Sequence, residues 1–521
     1  MDLTKIIQTQ FSNTQLIFII SGMLFGLISI FLFNRRQHNL SFWMLVLCGF
    51  ILRMVAAGFD PFLNSWDEQF HALVAKNMMT HPFKPMLYSA PVLDYDFRDW
   101  QGNHIWLHKQ PWFLWQIALF FRIFGTSEFV LRLPTAIMMS LMIFIIYRIG
   151  KRISNPDIAW YGAFIYTFSF YYIHFVSGGI FTDHNDAAFI FYVSLSIWGW
   201  IEYIHTGKRR WLILIGIFAG IAMLNKWMVG LLVYSGWITA ILMGHSKSEW
   251  FACFRKMTLS ILCSALVAVP WQVYIFFAYP AESRYEFQFN AQHFFQPVEG
   301  HGGNWWYHFS ILAEQYGGWS VYILILPGIY LLARSVGNRS YRVAIATYIL
   351  VTYLFFSMAA TKMPMFCAIV SPFIFLAMGA VLDKVVEFVP KYIPARLAFW
   401  MIAGILGYLA YDNLHINQLD EWHSGRQSYW KTKNEDAIID RQVAGNLPGK
   451  DYVVFNCGGN NAIMFMYYSG TTAYGFYPTL QQYQVLKKQE IRIATFSDDK
   501  IPSFLRDDPS VIKRYISPVY Y

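Results

Sequence analysis

Long apolar runs alternate with short basic stretches from residue 15 to residue 411. Runs near the ~20 residues that cross a hydrocarbon core fall at 15–33, 41–58, 129–147, 157–176, 186–203, 257–279, 319–333, 342–360, 364–382 and 396–411. The stretch 211–243 is longer, is broken by Asn225-Lys226, and reads as two short crossings. The pattern predicts an α-helical polytopic membrane protein with about twelve transmembrane helices. Its basic loops alternate: Arg35 and Arg36; Arg148, Lys151 and Arg152; Lys208, Arg209 and Arg210; Lys247, Arg255 and Lys256; Arg334, Arg339 and Arg342; and Lys384, Lys391 and Arg396 share one side. The positive-inside rule makes that side cytoplasmic. Both termini and the segments 59–128, 280–318 and 412–521 then face the exterior. The first span lacks a small-residue cleavage site and runs into a basic loop, so it reads as a retained anchor.

From Asp412 onward the pattern changes. Charges return, and short β-like runs at 452–455 and 491–496 alternate with helix-like runs at 460–468 and 480–490. This predicts a small external α/β domain at 412–521 behind a transmembrane domain at 1–411. The segment Asn456-Cys457-Gly458-Gly459-Asn460 follows a strand and opens a helix, as phosphate loops do. It lacks the full glycine fingerprint, and a structural turn explains it.

Composition agrees with the pattern. Residues are 56% hydrophobic and only 14% charged, against roughly 25% charged in soluble domains, which excludes a soluble enzyme or a disordered chain. The net charge of +9 would suggest nucleic acid in a soluble protein, but here it sits in loops beside a bilayer. Five cysteines, an odd count mostly within or beside apolar runs, give no disulfide framework. No internal repeat is visible.

The first external loop carries residues that a passive connector does not need. Ser65-Trp66-Asp67-Glu68 has capping-box form, with Ser65 as N-cap and Glu68 three residues on. The helix that follows stripes Phe70, Leu73, Val74 and Met78 on one side, too short to span, and reads as an amphipathic helix in the membrane interface. A cap accounts for Glu68; it leaves Asp67 as a second acid at the lipid–water boundary, where carboxylates are costly. Farther on, His108-Lys109-Gln110-Pro111 precedes a short helix over 112–124. A lysine beside free N–H groups at a helix start makes an anion site; a lysine snorkelling to the headgroups is the plainer account.

Lys109, Lys226, Arg284 and Lys362 all fall on the external side, where the charge bias depletes basic residues. Together they predict an outward-facing cationic recess suited to a lipid phosphate. Asp183 and Asp186 open a span on the same side at i, i+3. The loop 280–318 adds His293, His301, Trp305, Trp306, Tyr307 and His308. Its aromatic residues either form the interfacial belt or stack on sugar faces.

Taken in order, these segments resemble the polyprenyl-phosphate-sugar-dependent membrane glycosyltransferases of the GT-C class. More closely, they look like the bacterial family 39 proteins, related to protein O-mannosyltransferases and lipid A aminoarabinose transferases. The matching pieces are 66-WDEQFHALVAKNMM-79, 107-LHKQPWFLW-115, 125-GTSEFVLRLPTA-136, 182-TDHNDAAF-189, 216-GIFAGIAMLNKWMVG-230, 301-HGGNWWYHF-309 and 361-TKMPMF-366. The resemblance implies a GT-C-like fold and transfer of one sugar from a polyprenyl-phosphate donor to an envelope lipid, glycan or protein acceptor at the outer face of the inner membrane. It implies Asp67 as the catalytic acid of the motif, with Glu68 beside it. It puts Lys109 near the donor phosphate and makes Asp183 or Asp186 a further acid. His71, Trp305 and Tyr307 stand as acceptor or sugar contacts. The chain departs from the pattern at Gln110, at Phe70 and His71 (Arg and Tyr in the aminoarabinose transferases), and at His108, which replaces an acid that helps bind zinc in some relatives. His108 with His301 offers two ligands for a divalent cation.

The expected chemistry requires no cofactor. Asp67 takes the acceptor proton as general base, the acceptor oxygen attacks the anomeric carbon with inversion, and fixed cations hold the departing phosphate. The rival is a transporter or flippase for lipid-linked sugars. Transporters place essential charges near the midplane and often show repeated halves; this chain places its charges at one face and shows no repeat.

Overall fold

The computed structural model describes residues 12–64, 66–179, 183–317, 320–388, 394–413, 431–443, 445, 452–458 and 461–515. Contacts divide the chain into two compact units. The first comprises Met1–Phe59, Arg132–Ala278 and Phe287–His423; the second comprises Asp60–Leu131, Tyr279–Glu286 and Ser424–Tyr521.

The first unit is helical and makes this an integral membrane protein. Among the described residues, eight helical stretches are long and apolar enough to cross a bilayer: Asn13–Asn34, His38–Ala57, Glu128–Ile153, His184–Thr206, Arg210–Gly244, Lys247–Ala278, Arg339–Met358 and Pro364–Phe388. The difference from the expected twelve has local causes. The run 211–243 is a helix to Lys226, a 3₁₀ turn over Trp227–Leu231 and a second helix from Leu232. The runs at 319–333 and 396–411 form helices whose apolar portions are short. The run 157–176 breaks at Ser169, which is extended between the helices Pro156–Phe168 and Phe170–His174. Carbonyls released at that break do not go unmet. Arg53, fully buried, donates to the carbonyls of Tyr166 and Thr167 at 3.2 and 3.4 Å and lies 4.8 Å from the Tyr166 ring centroid. A buried charge is tolerated there because its N–H groups replace the lost helical partners.

Glycines explain one close helix crossing. A Cβ on Gly216 or Gly220 would lie 2.3 or 2.7 Å from the carbonyl oxygens of Ser260 and Ser264. The glycine-rich run therefore lets the helix Arg210–Lys226 meet the helix Lys247–Ala278 backbone to backbone, as small residues do between membrane helices.

The second unit joins the first loop to the C-terminal part. Its sheet is three parallel strands in the order β1 (Tyr452–Phe455), β2 (Arg492–Ser497), β3 (Ile512–Tyr515). Parallel pairing needs crossovers; the helices Asn461–Ser469 and Leu480–Lys488 supply the first. The positions follow the sequence expectation closely, although Gly459 and Asn460 of the glycine-containing turn lie outside the described residues.

The helix Asp67–Met78 leaves no apolar stripe exposed for a membrane interface. Residues Glu68 through Ala75, and Met78, are all buried, and the helix packs against Trp112–Phe124 and Asn461–Ser469. Its cover comes from almost 400 residues downstream, which sequence periodicity cannot reveal. The exposed apolar side chains belong to the second loop helix instead: Leu119, Ile123 and Phe124.

Polar contacts bind the two parts of this unit. Thr472 donates to the Ala90 carbonyl at 2.7 Å. The Tyr474 hydroxyl accepts from the N–H groups of Val92 and Leu93, both at 3.2 Å. Arg441 reaches the Pro61 carbonyl at 2.9 Å and pairs with Glu128, which also accepts from Tyr468 at 2.7 Å. Tyr474→Phe leaves two loop N–H groups without their acceptor, an effect of roughly 1–3 kcal/mol. The expected readout is faster proteolytic cleavage of the first loop in the otherwise folded protein; unchanged cleavage would separate the C-terminal part from the loop.

Candidate active site in the first loop

The chain enters the Asp67–Met78 helix through Trp66, whose φ of 63° is rare for a residue with a side chain. Strain of this kind persists where surrounding contacts impose it, and it gathers at functional sites. One contact here is visible: the Glu68 carboxylate, 1% exposed, accepts from the Asn64 backbone N–H at 2.6 Å. The Asn64 side chain in turn donates to Asp60 at 3.0 Å. Glu68 therefore fastens the entering chain. Ser65, the expected N-cap, lies outside the described residues; the helix starts at Asp67 after Trp66, with no side-chain cap.

Asp67 is turned differently. Its carboxylate lies 3.5 Å from the Lys109 ammonium, and each side chain keeps 19% of its surface exposed. Beneath it, one helical turn on, His71 is fully buried and meets the rings of Phe113 and Trp106 edge-on at 4.6 and 5.8 Å. Burial opposes the Asp67 charge, but Lys109, with lesser help from His71 and His108, outweighs it and holds the carboxyl at about 2. Burial pushes the His71 imidazole down to about 3, against the pull of Asp67. At neutral pH the site is thus a carboxylate and an ammonium over a neutral imidazole. His71 is part of the wall under Asp67, where the sequence suggested a sugar contact.

His108 is also inside. It stacks on Trp100 at 4.6 Å, and its Nδ1 lies 3.4 Å from a Glu286 carboxylate oxygen. Four residues earlier on the same helix, Glu282 accepts from the Tyr95 hydroxyl. The two acids at i, i+4 on the Pro280–Phe295 helix are 8% and 2% exposed and close one side of this unit. Sequence reasoning passed over both. The only available signal was two acids on one helical face amid aromatic residues.

The four predicted cations are divided between the two units. Lys109 pairs with Asp67. Lys226, in the membrane unit, pairs with Asp186 and lies 4.7 Å from the Phe366 ring centroid. Trp227 follows it at a φ of 58°. Lys362, 3% exposed, donates to the carbonyls of Phe356, Ser357 and Ala359. It closes the C-terminal end of the Arg339–Met358 helix, and its three N–H groups are spent there. Arg284 is exposed on its helix. The side chain of Asp183, and Thr182 before it, lie outside the described residues; His184 bonds Thr135 at 2.8 Å.

Trp305 is 67% exposed, Tyr307 is half-buried, and the His301 carbonyl accepts from the Lys362 N–H at 2.9 Å. Among the described residues no three His, Cys, Asp or Glu side chains gather as a metal site.

Comparison with known proteins follows this geometry. Residues 108–274 match the family described as dolichyl-phosphate-mannose-protein mannosyltransferase. The chain is 26% identical over 284 residues to the undecaprenyl phosphate-alpha-4-amino-4-deoxy-L-arabinose arabinosyl transferase of Pseudomonas aeruginosa, covering 51% of this chain and 49% of that one. A Pseudomonas fluorescens protein of the same description is 23% identical over 311 residues, covering 57% and 54%. The chain thus spans about half the length of these curated relatives. In fold it is similar to ArnT from Cupriavidus metallidurans, at a TM-score of 0.62 in the apo state and 0.65 bound to undecaprenyl phosphate. Both alignments are 14% identical and cover 86% of this chain and 88% of that one. The archaeal oligosaccharyltransferase AglB from Archaeoglobus fulgidus follows at 0.54, 11% identical, covering 83% and 64%. The fold is that of the GT-C membrane glycosyltransferases.

The two neighbouring acids separate by measurement. Glu68→Ala removes the acceptor of a buried N–H, worth roughly 1–3 kcal/mol, and lowers the thermal midpoint in detergent. Asp67→Asn leaves that midpoint close to wild type. Equal effects of the two substitutions would contradict the division between strut and open carboxylate.

Proposed function

We propose that this GT-C-fold membrane protein transfers a single sugar from a polyprenyl-phosphate donor to an envelope lipid, glycan or protein acceptor at the outer face of the inner membrane. The observation that carries this reading is the half-open Asp67–Lys109 pair, 3.5 Å apart on an otherwise buried helix start. A fixed cation meets the need of a phosphate leaving group, and a carboxylate beside it meets the need of an attacking hydroxyl. The family match and the relatives' described activities support the same chemistry.

The acceptor hydroxyl gives its proton to Asp67 as its oxygen bonds to the anomeric carbon. The bond from that carbon to the phosphate oxygen breaks, and its electron pair stays on the phosphate. Lys109 offsets the added charge. Attack opposite the leaving group inverts the anomeric centre. His71 holds Asp67 from below as a neutral ring. Asp186 and Lys226 form a second acid–lysine couple in the membrane unit, and we assign it to substrate binding. The transfer as written needs no metal ion.

Activity separates these roles. With a purified undecaprenyl-phosphate sugar, Asp67→Asn loses about 10²–10⁴-fold in turnover without any weakening of donor binding. Turnover near wild type would remove Asp67 from the role. Lys109→Ala raises the donor KM and lowers kcat, whereas Lys362→Met changes thermal stability and leaves the donor KM in place.

A further inference from the structure

We propose that Lys109 is shared between Asp67 and the donor phosphate, so that the base gains its basicity only once the lipid-linked donor is seated. The proposal rests on the reading of the first loop as the donor-phosphate site and goes beyond it by coupling the two substrates.

The pair as it stands is a poor base. A carboxylate held at about 2 by an adjacent ammonium has little affinity for a hydroxyl proton, and general bases work best near the operating pH. The geometry contains the remedy. Lys109 is not sealed against Asp67: the 3.5 Å separation is loose for a charge-assisted hydrogen bond, and both side chains keep a solvent-facing portion. A phosphate at that opening competes for the same ammonium. When it draws Lys109 away, Asp67 keeps its buried surroundings and loses its main stabilising charge, and both changes raise its proton affinity.

The other charges near Asp67 do not substitute for Lys109. His71, below it, is neutral at working pH. His108 is turned to Glu286 at 3.4 Å, and Glu68, the adjacent acid, is fastened to the Asn64 N–H. Of the helices packed on this one, Asn461–Ser469 contributes only the titratable residues Tyr467 and Tyr468, with Lys76 on the Tyr467 carbonyl at the far end. Trp112–Phe124 contributes Arg122, which lines an apolar cleft with Met78 and Met79, also at the far end. Lys109 is therefore the main opposite charge acting on Asp67.

Function follows from the coupling. Here the base is restrained until the donor phosphate arrives. During transfer, the proton goes from the acceptor oxygen to Asp67, and the negative charge released on the phosphate strengthens its hold on Lys109. Departure of the polyprenyl phosphate returns the lysine to Asp67, favouring loss of the proton and resetting the pair.

Reciprocity makes this measurable without turnover, because a ligand that raises a pKa binds the protonated form more tightly by the same factor. Restoring Asp67 from about 2 to at least an ordinary ~3.9 corresponds to about a hundredfold. The test titrates the purified full-length chain with undecaprenyl phosphate between pH 7 and 4.5. Asp67→Asn, which mimics the protonated acid, is expected to bind on the order of 100-fold more tightly at pH 7. With Asp67 restored only to ~3.9, this advantage stays nearly constant down to pH 4.5; it shrinks within that range when the bound phosphate lifts the carboxyl well above that value. Lys109→Met is expected to weaken binding in both backgrounds. If Lys109→Met weakens binding but Asp67→Asn binds no more tightly than wild type, the phosphate site stands and the sharing is wrong. If Lys109→Met leaves binding unchanged, the donor site itself is misplaced and the proposal falls with it.

Discussion

An ammonium facing a carboxylate across 3.5 Å, with one side of each left open, is the interaction on which the proposed chemistry depends. A buried pair of this kind is expensive to assemble, because both charges surrender water for each other. The surrounding loop holds it through neutral and aromatic groups: Phe113 and Trp106 against His71, and Trp100 against His108. Glu68 and Asn64 fix the chain just before Asp67. These contacts give the loop resistance to distortion, while the two charged side chains each keep part of their surface exposed.

The C-terminal part supplies much of that resistance. Its helix Asn461–Ser469 covers the helix that begins at Asp67, and Thr472, Tyr474 and Arg441 bind loop carbonyl and N–H groups. Loops that carry chemistry need a rigid support. Here the support for residues 60–131 is drawn from the far end of the sequence, so the C-terminal part from Ser424 groups with the first loop in the contacts.

The membrane helices were legible because a bilayer imposes a length and a composition on every span. Where the helix count fell short, as at Ser169, the break is supported by Arg53, a residue more than 100 positions away. Asp67 and Lys109 stood out because each is a charge in a place that ordinary capping or snorkelling explains only in part. Lys362 stood out for the same reason and has a different use, since helix-end carbonyls attract an ammonium as a phosphate does. The pairing of His108 with Glu286 was not legible: it joins residues far apart in the sequence, and no local spacing encodes it. Nor was the burial of His71, whose amphipathic helix is covered by a distant segment.

The account's central claim is that Lys109, opposite Asp67, receives the phosphate of a lipid-linked donor. An experimental structure of the protein with undecaprenyl phosphate tests it most directly. The account predicts the phosphate within hydrogen-bonding distance of the Lys109 Nζ, with the Asp67 carboxylate at the edge of the same opening. A phosphate seated elsewhere, with the Asp67–Lys109 pair undisturbed, would contradict it.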